Sequence, residues 1–233
     1  MTRISPALSL IVTADPTPGV IEKFLECYNQ FTKEYQGKTE LLIIDSLKTL
    51  SIERKNHLLS LDKSFSLNML DPGLENRDQL KAILWAIKKT KGEAIITIDP
   101  DMYKNIMDIP RFINSLEQGS EIVYGRRVQR NGVPFWRKIL SFFYNQFVRH
   151  TLKITIRDFN SPMVLITQKA IKDIPSNIMS PRVYLCMQYK EKTSEVSIST
   201  SEHNKKTSSY SFVSLILTGV NRVTEIIGHR KKT

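Results

Sequence analysis

Two carboxylates stand at positions i and i+2 in Thr97-Ile98-Asp99-Pro100-Asp101-Met102, where an apolar run gives out into a loop. A hard divalent cation that keeps several of its waters binds through one or two such carboxylates plus the phosphates of a substrate. Pro100 biases Asp99 away from helix and fixes its own φ, so the spacing predicts an extended backbone across the pair. A strand-to-helix turn in which Asp101 caps the next helix fits the same residues. Asp15 and Asp45 also follow apolar runs directly. The second feature with chemistry in it is charge. Tyr124 to Arg157 holds eight Lys and Arg, among them Arg126, Arg127, Arg137 and Arg149, and no Asp or Glu. Arg grips phosphate through two parallel hydrogen bonds, which suits Arg127 and Arg137 as phosphate ligands. A cationic face that serves solubility or attraction to anionic lipid is the competing reading.

These residues need elements to position them. Ala7 to Thr13, Leu41 to Asp45 and Ala94 to Ile98 are short, β-branched apolar runs, the pattern of strands covered on both faces in a parallel sheet. Between the first two, Val20, Phe24, Cys27, Tyr28 and Phe31 recur at helical spacing. Leu80, Ile83, Leu84 and Ile87 mark a second helix, closed by Gly92 after a basic turn. Ile109 to Leu116 reads as a short helix and Glu121 to Tyr124 as a strand. A long apolar helix follows over 135 to 152, then a strand at Met163 to Thr167. A last amphipathic helix carries Phe212, Ile216, Val220, Val223 and Ile227, with Gly228 and a basic end after it. Alternating strands and helices predict an α/β, Rossmann-like, mostly parallel sheet with helices on both faces, plus this C-terminal helix. Ligands of such sheets sit beyond the C-terminal ends of the strands, where Asp15, Asp45, Asp99 and Asp101 all fall. The expected organisation is one catalytic domain over 1–200 and an amphipathic, basic tail over 201–233.

From Asn76 onward the chain resembles the family 2 inverting glycosyltransferases, in particular the branch that makes dolichyl- or polyprenyl-phosphate sugars. The family pattern runs N-x-G, thirteen residues, G-D, a strand, then D-A-D; Asn76, Gly92, Glu93, Asp99 and Asp101 fall at matching intervals. Its G-S-R looks like Gly125-Arg126-Arg127, its R-x-x-x-S like Arg137 to Ser141, its following Asn like Asn145 and its later Asp like Asp158. The resemblance covers about residues 8 to 172. It implies a GT-A fold in which Asp99 and Asp101 help hold Mg²⁺ or Mn²⁺ on a nucleoside-diphosphate sugar, with Asp15, Asp45 and Asn76 on the donor side. It implies that Arg127, Arg137, Ser141 and Asn145 face the phosphate of a polyprenyl or dolichyl lipid, and that Asp101, Arg127 and Arg137 carry the catalysis. An ionised acceptor phosphate is already a nucleophile, so no catalytic Ser, Cys or His is required.

The chain departs from the pattern where relatives bind the nucleotide base. Thr13-Ala14-Asp15-Pro16-Thr17 replaces P-x-Y-N-E, Asp45-Ser46-Leu47-Lys48 replaces D-D-G-S, and Asp78 stands for the glycine after Asn76. Ser46 removes a carboxylate that would accept from the base. The tail motif R-x-x-G-x-S-K-Y is degenerate in Glu202 to Tyr210, where Lys205 or Lys206 would meet the diphosphate. Transfer to another acceptor, or a relative that binds nucleotide sugars without turnover, therefore stands beside the main expectation.

The 233 residues carry 34 Lys+Arg against 23 Asp+Glu, a formal charge of +11 that favours polyanionic partners. No zinc-finger, RRM or helix-turn-helix signature accompanies the charge, so nucleic acid is not the expected partner. Two cysteines, Cys27 and Cys186, imply no disulfide framework, and no signal peptide or run of 18 apolar residues is written. The expectation is a cytoplasmic protein held peripherally at the cytosolic face of a membrane, through anionic lipid or a membrane partner protein. The helices at 135 to 152 and 211 to 227 have the make-up of interfacial segments; docking of the stripes on the sheet is the competing reading, and the second helix favours membrane or partner contact.

Overall fold

The computed structural model describes residues 6–61, 63–73, 79–128, 135–174, 181–199 and 228. Among these, seven strands form one sheet: Leu8–Thr13 (β1), Thr39–Ile44 (β2), Ser66–Leu70 (β3), Ala94–Ile98 (β4), Ile122–Arg127 (β5), Met163–Thr167 (β6) and Thr193–Ile198 (β7). Their order is β3-β2-β1-β4-β6-β5-β7. β1 pairs in parallel with β2 and β4, β2 with β3, and β5 with β7. Only β6 is antiparallel to its neighbours β4 and β5. The C-terminal ends of all other strands therefore share one edge, and β6 begins at that edge.

Alternation along the strands divides the core in two. Leu8, Leu10 and Val12 of β1, with Ile96 and Ile98 of β4, face the helix Val20–Glu34 (α1), a 3₁₀ helix at Pro100–Asp108 and Ile109–Glu117 (α4). Ile11, Leu42, Ile95, Tyr124 and Val164 point to the other face. There they meet Gln79–Ile87 (α3), Phe135–Leu152 (α5), Gln168–Lys172 (α6) and Pro181–Gln188 (α7). Helices on both faces explain why β1 and β4 read as continuous apolar runs. The remaining helix, Ile52–Ser60 (α2), buries only Leu58.

Two glycines are required by close approach. A Cβ on Gly92 would stand 2.6 Å from the Ser9 backbone nitrogen, and one on Gly125 would stand 2.8 Å from Ile198 Cδ1 and 3.1 Å from the Met163 carbonyl. Gly92 thus corrects the expectation that it closes a helix: α3 has already ended at Ile87, and Gly92 instead lets the chain press on β1. Its N–H donates to Ser9 Oγ at 2.8 Å. Cys27 is half-buried on α1 and Cys186 buried in α7; both are free thiols. The expected tail helix lies outside the described residues.

Candidate active site

The edge at the C-terminal strand ends gathers the segments that follow β1, β2, β4, β5 and β7 and the loop that leads into β6. Asp99, following β4, donates its backbone N–H to the carbonyl of Pro162, just ahead of β6, at 3.2 Å. Val128, following β5, donates to the Ile198 carbonyl at the end of β7, also at 3.2 Å. Buried Ser161 joins β5 to β6: its hydroxyl lies 2.6 Å from the Gly125 carbonyl and accepts from the Met163 N–H at 3.1 Å. The loop 158–162 is thereby fastened beside Asp99.

The backbone across the two carboxylates is not extended throughout, as the spacing had predicted. Asp99 is extended (φ −73°, ψ 139°), but Pro100 opens a 3₁₀ helix and Asp101 lies in its first turn. The physical reason is that proline at the first helical position loses no hydrogen bond and has its φ already set. Met102 and Ile106, buried against α1, hold this short helix in place. Asp99 occupies the N-cap position without capping through its side chain, so Asp101 is not the cap either. Both residues are half-buried. Among the described residues no group of three or more His, Cys, Asp and Glu gathers as a metal cage.

Asp45 is buried, and its carboxylate organises its own loop. Oδ1 accepts from the Thr49 N–H at 2.7 Å and the Thr49 hydroxyl at 3.1 Å, while Oδ2 lies 2.7 Å from Lys55 Nζ. Burial opposes ionisation, but Lys55 and Thr49 outweigh it and hold the carboxyl below its ordinary value. Asp15 accepts from the Thr17 N–H at 2.7 Å, a local turn that shapes the β1–α1 connection. Arg54 of α2 clamps the same connection. It donates to the Pro16 carbonyl at 3.1 Å and the Thr17 carbonyl at 3.2 Å, and its fork meets Glu22 with two bonds of 3.0 Å. Asp15 and Asp45 thus stand at the edge as expected, with the carboxylate of Asp45 committed to protein partners.

Arg127, at the end of β5, turns its guanidinium onto Asp158. Nε donates at 2.8 Å and Nη2 at 2.9 Å to the two carboxylate oxygens, and Nη2 also reaches the Asn160 carbonyl at 3.2 Å. Asn145 of α5 is buried and accepts from the Phe159 N–H at 3.3 Å. Glu195 of β7 accepts from the N–H groups of Arg157 at 2.6 Å and Asp158 at 3.0 Å. Ser141 is half-buried one turn before Asn145. Asn76, Asp78, Lys205 and Lys206 lie outside the described residues, as does the side chain of Arg137, whose backbone is part of α5. Sequence reasoning named Asp158 only through the resemblance and missed Arg54, Lys55 and Glu195, which act on partners 10 or more residues away.

Residues 72–175 match the family model described as glycosyl transferase family 2. An undecaprenyl-phosphate 4-deoxy-4-formamido-L-arabinose transferase of Photorhabdus laumondii is 25 % identical over 226 residues, covering 92 % of this chain and 65 % of that protein. The putative glycosyltransferase CsbB of Bacillus subtilis is 27 % identical over 146 residues, covering 61 % of this chain and 44 % of that protein. The chain thus spans less than two thirds of the length of these curated relatives. The solved glucosyl-3-phosphoglycerate synthase of Mycobacterium tuberculosis, in complex with Mn²⁺, UDP and glucosyl-3-phosphoglycerate, matches with a TM-score of 0.66 at 12 % identity. That match covers 97 % of this chain and 80 % of the synthase. At such identity the likeness is one of fold, and the fold is the expected GT-A arrangement.

Proposed function

We propose that this chain, which carries a family 2 glycosyltransferase domain, moves a sugar from a nucleoside diphosphate to a phosphorylated polyprenyl lipid at the cytosolic face of a membrane. The observation that carries the reading is the placement of Asp99 and Asp101 on the edge that also receives Arg127 and the 158–162 loop. Two hard carboxylates at a strand end suit Mg²⁺ or Mn²⁺, with donor phosphates and waters completing the shell. Asp99 and Asp101 would hold such an ion, and it would supply positive charge to the departing nucleoside diphosphate. On the acceptor side an ionised phosphate oxygen attacks the anomeric carbon as the carbon–oxygen bond to the diphosphate breaks, with inversion. Arg137 and Ser141 hold that phosphate. Arg127 acts on the acceptor side by positioning: its fork keeps Asp158, and with it the 158–162 loop, against Asp99. Asp15 and Asp45 line the donor side, Asp45 by fixing the 45–50 loop, and Asn76 serves the donor as the family pattern implies. Asn145 holds the same acceptor-side loop through Phe159.

The relatives' names support the acceptor class, since the Photorhabdus protein is named for undecaprenyl phosphate. One observation favours a second reading. Lys55 and Thr49 occupy the Asp45 carboxylate, and Ser46 stands where a base-contacting Asp is expected. A protein of that kind would bind nucleotide sugars weakly or not turn them over. Release of UDP or GDP from a panel of donors, with polyprenyl phosphate and with or without Mn²⁺, separates the two. Mn²⁺-dependent release is expected; donor binding without release under every condition would overturn the transferase reading.

A further inference from the structure

α2 is a helix with almost no core of its own. Of its nine residues only Leu58 is buried. A short helix is ordinarily held by an apolar face packed on its neighbours, so α2 needs other attachments. Two adjacent cations supply them, and each reaches a different loop. Arg54 donates to the Pro16 carbonyl at 3.1 Å, to the Thr17 carbonyl at 3.2 Å and to both carboxylate oxygens of Glu22 at 3.0 Å. These partners lie 32 to 38 residues away, in the connection that leaves β1 and the first turn of α1. Lys55 brings its ammonium within 2.7 Å of the Asp45 carboxylate, which also accepts from the N–H groups of Thr49 at 2.7 Å and Leu50 at 3.4 Å in the loop that leaves β2. β1 and β2 are neighbours, and just past them the Ala14 N–H still donates to the Ile44 carbonyl at 2.7 Å. Beyond that bond the two loops part, and α2 joins them again.

Both loops stand at the C-terminal strand ends, where the ligands of such sheets sit. A brace across two loops fixes their separation, so a ligand that meets both finds its contacts in place and pays less to order them. The 45–50 loop is also held in a shape it would not take unaided: Lys48 has a left-handed backbone (φ 52°), a strained conformation for a residue with a Cβ, kept by its surroundings. The charges suit an anionic ligand. Arg54 and Lys55 offset Glu22 and Asp45, two carboxylates that would otherwise repel a diphosphate approaching this edge. We propose that Arg54 and Lys55 are positioning residues for the nucleoside-diphosphate donor: from neighbouring places on α2 they keep the 14–19 and 45–50 loops at one separation. The inference rests on the proposed donor side, and it makes α2 a brace between loops where its single buried residue leaves it little part in the core.

Calorimetric titration of the full chain with UDP and with GDP, each in the presence of Mn²⁺, tests this. In Arg54→Ala the Kd of whichever nucleotide the parent binds should rise at least tenfold, while the apparent KM for a polyprenyl phosphate stays at the parent's value. Arg54→Lys keeps a charge facing Glu22 but lacks the fork that spans two carbonyls, so its Kd should fall between the two. Lys55→Met should weaken nucleotide binding as well. Amide hydrogen exchange should quicken at Thr17 in Arg54→Ala and at Thr49 in Lys55→Met. Lys169→Ala breaks an ion pair with Glu121 at the opposite edge of the sheet and should leave the affinity unchanged. Far-UV circular dichroism confirms folding; if Arg54→Ala does not fold, Arg54→Lys alone decides. Parent-like nucleotide affinity in the folded Arg54 variant overturns the proposal. So does a Lys55→Met protein that binds nucleotide more tightly than the parent, which would make Lys55 a block on Asp45. An acceptor KM that rises as far as the donor Kd, or an equal loss in Lys169→Ala, reduces the clamp to general stability and overturns it too, as does a parent that binds neither nucleotide. Nucleotide release from sugar donors is read in parallel. Binding without release in the parent sinks only the transferase reading, and release by the parent with unchanged affinity in Arg54→Ala sinks only the brace.

Discussion

Arg127 and Asp158, 31 residues apart in sequence, hold each other through two parallel bonds of 2.8 and 2.9 Å across the end of β5. Asp158 is almost fully buried, and the Arg127 backbone N–H reaches its carboxylate as well, at 3.3 Å. The pair therefore fastens strand β5 to the loop that carries the Pro162 carbonyl to Asp99.

Removing one partner of such a pair strands the other. A fully buried pair loses about 3–5 kcal/mol on this account, and the partly exposed Arg127 brings the expected cost of Asp158→Ala to about 2–4 kcal/mol. For a chain of this size that lowers Tm by about 4–16 °C, read by scanning fluorimetry. Arg127→Lys keeps charge but not the fork and should fall between parent and Arg127→Ala. A Tm unchanged in Asp158→Ala would show that the pair does not hold the loop.

The pairing of Asp45 with Lys55 gives a pH dependence whose sign can be worked out. The folded carboxyl sits below its ordinary value, so the unfolded chain takes up a proton first as pH falls. Stability from this group is complete above the unfolded Asp value near 4 and is lost as pH drops through the lower folded value. Lys55→Met should thus reduce the urea midpoint at pH 7, and the difference from the parent should shrink below about pH 4. A gap that stays constant from pH 7 to pH 3 contradicts the assignment.

The strands that place the site were legible because two-sided burial writes them as apolar runs: β4 and β6 fall on their predicted residues, and β1 and β2 within two. α5 was legible with its full length for a different reason, its apolar residues recurring without a break from Phe135 to Leu152. Several elements left too little pattern, α6 among them with only Ala170 and Ile171 buried. β3 is a partly exposed edge with no fully buried residue, Leu67 and Met69 packing on one side and Leu70 on the other, and β7 is Thr-Ser-Glu-Val-Ser-Ile with just Val196 and Ile198 buried. α2 buries Leu58 alone, and α7 gives its buried Leu185 and Cys186 no recurring stripe. The reversed direction of β6 has no local signal at all. The clamps Arg127–Asp158 and Arg54–Glu22 join residues 31 and 32 positions apart, and nothing local in a sequence announces such a meeting. The carboxylates Asp99 and Asp101 were found because their meaning lies in adjacent positions, although the 3₁₀ turn that separates them was not.

Asp101 tests the metal. It lies in the first turn of the 3₁₀ helix, where a carboxylate favours the helix by about 0.3–1 kcal/mol, so Asp101→Asn should leave Tm within a few degrees of the parent. Titration with Mn²⁺ and donor, followed by calorimetry, should lose the Mn²⁺-dependent component of binding. Full Mn²⁺-dependent binding and turnover in Asp101→Asn would remove it from the ligand set.

Arg137 is the remaining test of the acceptor side, because the two roles proposed for Arg127 and Arg137 separate in measurement. A charge-assisted contact to phosphate contributes about 1.5–3 kcal/mol, so its loss in Arg137→Ala should raise the apparent KM for a polyprenyl phosphate roughly tenfold to a hundredfold. Donor binding and Tm should hardly change. Arg137→Lys should be intermediate if the two-pronged grip matters. Arg127→Ala should instead lower Tm together with turnover, since its fork is engaged with Asp158. Lys33→Ala, an exposed charge in the last turn of α1, controls for diffuse electrostatics. An acceptor KM that rises equally in Arg137→Ala and Lys33→Ala would replace the specific site with general attraction between a cationic protein and an anionic lipid.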